Sequence, residues 1–138
     1  MGAVVHFEIP ADDKDRAKGF YEQAFGWAIT AIPGMDYSSL ITAPTGAPAD
    51  TDGPSEVPGV INGGLTSRAT DLTHPVITLD VADIDATLQT VESLGGSTVK
   101  PKETIPGMGS FAYFKDTESN VMGLWENLPA ETSTEGNE

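Results

Sequence analysis

The chain is written twice. HFEIPADDKD aligns with VITLDVADID, and EQAFGW aligns with ESLGGS after a one-residue slip, at an offset of about 70 residues. Each copy opens with an apolar strand candidate, 4–9 and then 75–81. In the first copy Pro10 ends the strand, Asp12 or Asp13 can cap a helix, and Gly26 can stop it. Between them Ala17, Phe20, Tyr21, Ala24 and Phe25 recur at i, i+3, i+4, i+7 and i+8, one apolar stripe on a helix. In the second copy Asp83 is the cap, Ile84, Leu88, Val91 and Leu94 form the stripe, and Gly95-Gly96 ends it.

Three strand candidates follow each helix. They are 27–32, 37–43 and 59–66 in the first copy, with a Pro33-Gly34 turn, and 97–100, 110–115 and 120–126 in the second. Residues 44–58, rich in proline, glycine and acids, read as a mobile loop. From Pro129 the chain lacks apolar periodicity and reads as a disordered acidic tail over 129–138. The expected fold class is α+β: one domain over 1–128, built from βαβββ modules at 1–70 and 71–128. A βαβββ sheet has one helix-covered face and one bare face, and two bare faces can enclose a cleft.

Composition removes several functions. With no cysteine there is no disulfide, thiolate metal site or cysteine nucleophile. Two histidines cannot make a three-histidine metal site within one chain. Seven Lys plus Arg against 21 Asp plus Glu give a net charge of −14, which repels phosphate backbones and anionic bilayers. Nucleic acid and membrane partners are therefore not expected. No apolar run is long enough to span a bilayer and no basic, apolar leader is present, so a cytoplasmic protein is expected. Neither a Walker-type phosphate loop nor a dinucleotide G-x-G-x-x-G turn occurs, and no serine sits in a nucleophile elbow. The acid pairs Asp12-Asp13 and Asp83-Asp85 fall at helix starts, where acids cap and match the dipole.

The doubled pattern, with VVHFEIPADDKDRAKGFYEQAFGW, GVINGGL, PGMGSFAYFKDTESNVMGLWE and the LGG after the second helix, resembles the vicinal oxygen chelate superfamily. That superfamily holds glyoxalase I, extradiol dioxygenases and bleomycin-resistance proteins. The resemblance covers 4–128 and implies a half-barrel cleft. It also implies four metal-ligand positions, in the first and last strand of each module. They fall on His6, within Asn62-Gly63-Gly64, on Val76 and on Gly123, so His6 alone carries a suitable donor. Glu126 is three residues from Gly123 and points to the other face of a regular strand, whereas Trp125 shares the parity of Gly123. His74 has the parity of Val76, so a bulge or slip of the strand could bring it in.

The expected function is binding of a small organic molecule in an aromatic-lined cleft, with no cofactor. The alternatives are a lyase, isomerase or dioxygenase using a divalent metal on His6, and a non-catalytic interaction domain. His6 and Glu8 share a strand face and are the acid–base candidates. Asn62, Val76, Phe111, Tyr113, Gly123 and Trp125 are the candidate ligand contacts, the aromatics as apolar lining and the glycine as space. A homodimer is expected because such proteins commonly pair. The acidic surface also suits a salt-rich cytoplasm, where screening relieves self-repulsion. Stability is accordingly expected to rise with salt; a melting temperature that falls between dilute and molar KCl would contradict this halophilic reading.

Overall fold

In a computed structural model the described residues are 2–43 and 59–129. The loop expected over 44–58 and all but the first residue of the expected tail lie outside them. The element order is β1 (Ala3–Ala11), α1 (Lys14–Phe25), β2 (Ala28–Ala31), β3 (Tyr37–Ile41), β4 (Gly63–Ser67), β5 (Val76–Asp80), α2 (Ile84–Ser93), β6 (Ser97–Ile105), β7 (Gly109–Lys115) and β8 (Val121–Asn127). This is βαβββ twice, an α+β fold. The chain forms two compact units, Val5–Thr78 and Leu79 onward, the second also holding the residues through Val4.

In the first module the strand order is β2-β3-β4-β1. The β2–β3 and β3–β4 pairs are antiparallel, and β1 runs parallel to β4 with Phe7 opposite Gly63 and Glu8 opposite Gly64. A parallel pair needs a crossover, and the chain between β1 and β4 supplies it through α1. The Asp13 carboxylate caps α1 by accepting the Arg16 N–H at 3.0 Å, and Gly26 ends it in the left-handed conformation, φ 72°. Ala11, Ile29, Leu40 and Leu65 form the core, with Phe7, Ile9, Ala17, Tyr21 and Trp27 packed against it. Tyr21 and Trp27 stack with ring centroids 4.9 Å apart.

The second module has the order β5-β8-β7-β6. The Asp83 carboxylate caps α2 through the Ala86 N–H at 3.1 Å. Ile84, Leu88, Ala112, Phe114 and Leu124 are buried together, with Leu79, Val81, Val91 and Met122 around them. Strand alternation then separates two sets of side chains. Phe7, Ile9 and Leu65 face α1, which leaves His6, Glu8 and Gly64 on the other face. Ala112, Phe114 and Leu124 face α2, which leaves Phe111, Tyr113, Gly123 and Trp125 on the other.

Several expectations need correction. Pro10 does not end β1, which continues to Ala11 with Pro10 opposite Thr66; the fixed φ of proline is compatible with extended backbone. The apolar stripe of α1 is wider than the face it buries: Phe20 and Phe25 are 60% and 61% exposed. Leu94 is 73% exposed because it caps α2 rather than continuing it. Strand β4 starts only at Gly63, whereas β6 runs on to Ile105. Pro101 is tolerated in β6 because this is an edge strand and its pairing shifts register between Lys100 and Glu103. Leu124→Ala should therefore cost about 2–5 kcal/mol and Leu94→Ala no more than about 0.5 kcal/mol in urea unfolding.

Candidate functional site

On the helix-free face of the first module three side chains meet around one hydroxyl. The Tyr37 hydroxyl donates to Glu8 Oε2 at 3.1 Å and lies 2.7 Å from His6 Nε2. The rings of His6 and Tyr37 are nearly parallel, 16° apart. His6 and Glu8 sit two residues apart on β1, so both project to one side. Tyr37 comes from β3, which β4 separates from β1. Its phenol reaches across because Gly64 stands on the intervening strand: a Cβ built there would collide with the Tyr37 hydroxyl and ring. The Tyr37 backbone is held at the start of β3 by the Ile32 N–H, which donates to its carbonyl at 3.0 Å. Next to it, Asp36 forms an ion pair with Lys14 at 2.8 Å, and hydrogen bonds from Lys14 and then Ser67 hold its carboxyl below the usual carboxylate range.

The charges follow from the geometry. Burial pushes the His6 pKa below 6.5, so the ring is neutral at physiological pH. The Tyr37 hydroxyl has a single proton and gives it to Glu8 Oε2. The Tyr37 oxygen then accepts from His6, which places the ring proton on Nε2. Such a chain can bind a polar group or pass a proton.

On the helix-free face of the second module Phe111 pairs in register with Trp125, and Tyr113 with Gly123. The Phe111 and Tyr113 rings meet edge to face, 5.9 Å apart. Trp125 lies over Gly109, where a Cβ would strike its ring, and its indole N–H donates to Asn127 Oδ1 at 3.0 Å. Lys100 Nζ sits 5.4 Å from the Phe111 centroid and 3.2 Å from Glu103.

The other anticipated residues are placed elsewhere. Asn62 Oδ1 accepts the Thr42 backbone N–H at 2.9 Å and its hydroxyl at 3.3 Å, which braces the end of β3. Val76 is buried at 2% exposure. His74 is exposed, with Nδ1 3.0 Å from the Thr73 hydroxyl. Glu126 lies on the helix side of β8: Oε1 accepts the Ile84 N–H at 2.9 Å and Oε2 pairs with Lys102 at 3.2 Å.

A divalent metal, which the resemblance implies, does not fit this donor set. Among the described residues no three His, Asp or Glu side chains cluster as a metal site would need. Tyr37 is the residue that sequence reasoning missed. Its signal was the strand parity of 37 together with a glycine pair, Gly63-Gly64, on a strand that becomes its neighbour.

The bleomycin resistance protein-like N-terminal family matches residues 3–42. A glyoxylase-like domain-containing protein of Didymella fabae is 30% identical over 129 residues, covering 89% of this chain and 92% of that one. A glyoxalase/bleomycin resistance protein/dioxygenase superfamily member from Vibrio splendidus 12B01 is similar in structure, with TM-score 0.57, 14% identity, 93% of this chain and 100% of that chain. Methylmalonyl-CoA epimerase from Mycobacterium tuberculosis is similar with TM-score 0.54, 17% identity, 94% of this chain and 91% of that chain. No described helix is long and apolar enough to cross a membrane.

The neutral imidazole has a consequence for stability. The unfolded chain protonates His6 first, at 6.5, and the folded chain only at lower pH. The stabilisation is thus complete above that value and lost as pH falls below it. Urea unfolding of wild type should lose stability relative to His6→Gln as pH falls below 6.5. Tyr37→Phe removes the bridging hydroxyl and should cost about 1–3 kcal/mol at neutral pH.

Proposed function

The chain belongs to the glyoxalase/bleomycin-resistance/dioxygenase superfamily, and on that premise we propose that it binds a small organic molecule with a flat aromatic body. The observation that carries this reading is the run of Phe111, Tyr113 and Trp125 on the helix-free face of the second module, interleaved with Gly109 and Gly123. Aromatic faces beside bare backbone favour a planar apolar partner through area burial and offset stacking. Lys100, beside Phe111, supports a ligand with an anionic or electron-rich edge despite the acidic surface. His6 and Glu8 supply acid–base groups on the first module, so proton transfer is the chemistry this reading allows.

The test is a thermal-shift titration with 2-naphthoate and its neutral counterpart 2-naphthol. Binding to the native state stabilises by about 2.7 kcal/mol at a hundredfold excess over Kd. A concentration-dependent rise in melting temperature is expected in wild type and in His6→Gln, and its loss is expected in the Phe111→Ala/Trp125→Ala double variant. No shift with either probe, or a shift that survives in the double variant, would remove this site.

A further inference from the structure

We propose that Tyr37 is a positioning residue that holds His6 as an Nε2–H imidazole, so that Nδ1 is a dedicated acceptor for a ligand bearing an O–H donor, such as a phenol, an enol or an alcohol. The ligand half of this inference rests on the reading that the chain binds a small organic molecule; the tautomer half rests on the two hydrogen bonds of the Tyr37 hydroxyl.

Three observations carry it. First, the hydroxyl between His6 and Glu8 has one proton, and its bond to Glu8 Oε2 uses that proton. The 2.7 Å contact to His6 must then be a donation from Nε2 to the phenol oxygen. Second, a neutral imidazole with its hydrogen on Nε2 has its lone pair on Nδ1. Among the described residues that atom has no hydrogen-bond partner, because the contact with Tyr37 is the one hydrogen bond His6 makes through its ring. A polar ring atom on a half-buried side chain favours a donor, since an unmet acceptor away from water is costly. Third, Gly64 makes the arrangement specific. The phenol lies over that glycine, so any side chain there, a carboxylate ligand included, competes with Tyr37 for one space. Ring stacking at 16° adds orientational restraint to the hydrogen bond.

The experiment is nitrogen-15 NMR of the full chain labelled at histidine, with His74→Gln assigning the two rings. In wild type, His6 is expected as an Nε2–H tautomer with its Hε2 proton protected from exchange. In Tyr37→Phe that proton should become unobservable through fast exchange while the melting transition shows a folded protein. Adding phenol should shift the His6 Nδ1 resonance toward the hydrogen-bonded range, and anisole, which has no donor, should not. An Nδ1–H tautomer in wild type would overturn the proposal without any variant, and so would protection that persists in Tyr37→Phe. Equal responses to phenol and anisole, or none to either, would overturn the ligand half. Because the aromatic face is probed separately with 2-naphthoate, binding there with no phenol response sinks this inference alone. Loss of the naphthoate response alone sinks only the earlier reading.

Discussion

Each module sets a four-stranded sheet against a single helix, 12 residues long in α1 and 10 in α2, and the consequences follow from strand alternation. A helix that short covers one sheet face. The apolar set that points toward it, Leu40 and Leu65 in one module and Ala112, Phe114 and Leu124 in the other, becomes core. Every intervening residue is committed to the opposite face by the two-residue period. The helix-free faces are therefore not accidental surfaces. Their chemistry is set by whichever residues occupy the alternate positions, and in this chain those positions carry an acid–base trio in one module and aromatic rings in the other.

Glycine decides how closely groups on those faces can approach. Gly64 lets a phenol from β3 cross β4 and reach β1, and Gly109 leaves room for the Trp125 indole, whose ring a Cβ there would strike. In both cases the absent Cβ creates room that an aromatic side chain takes up, so a weak strand former is offset by ring packing. The glycine run at 62–64 carries no carboxylate, and its role in the first module is spatial. Among the described residues no three His, Asp or Glu side chains cluster as a metal site would need, and the neutral, half-buried His6 imidazole is engaged in a hydrogen bond with Tyr37.

Much of the fold was legible because it rests on local rules. The duplication, both aspartate caps, the left-handed glycine after α1 and the parity of His6 with Glu8 follow from nearest-neighbour chemistry and period. The misjudged features are those where the tertiary environment overrides such rules. Phe20 and Phe25 fit a helical stripe, yet a narrow contact with the sheet cannot bury the whole stripe, and Leu94 falls at the cap beyond its helix. Pro10 and Pro101 read as breaks, yet each sits in a strand whose pairing accommodates it. The Asn62 oxygen accepts the backbone N–H and hydroxyl of Thr42, a pairing across 20 residues that no local pattern announces.

By itself the sequence determined the architecture, two βαβββ modules, and which residue types stand at the inherited ligand positions. It did so because hydrophobic period, capping and residue identity are properties of short stretches of chain. Tertiary structure alone decided that Tyr37, 31 residues from His6 and 29 from Glu8, supplies the hydroxyl that joins them. That partnership depends on strand order, on the register that sets Glu8 opposite Gly64, and on the space above one glycine. None of these has a local signature, because pairing between distant strands is settled by the packing of the whole module.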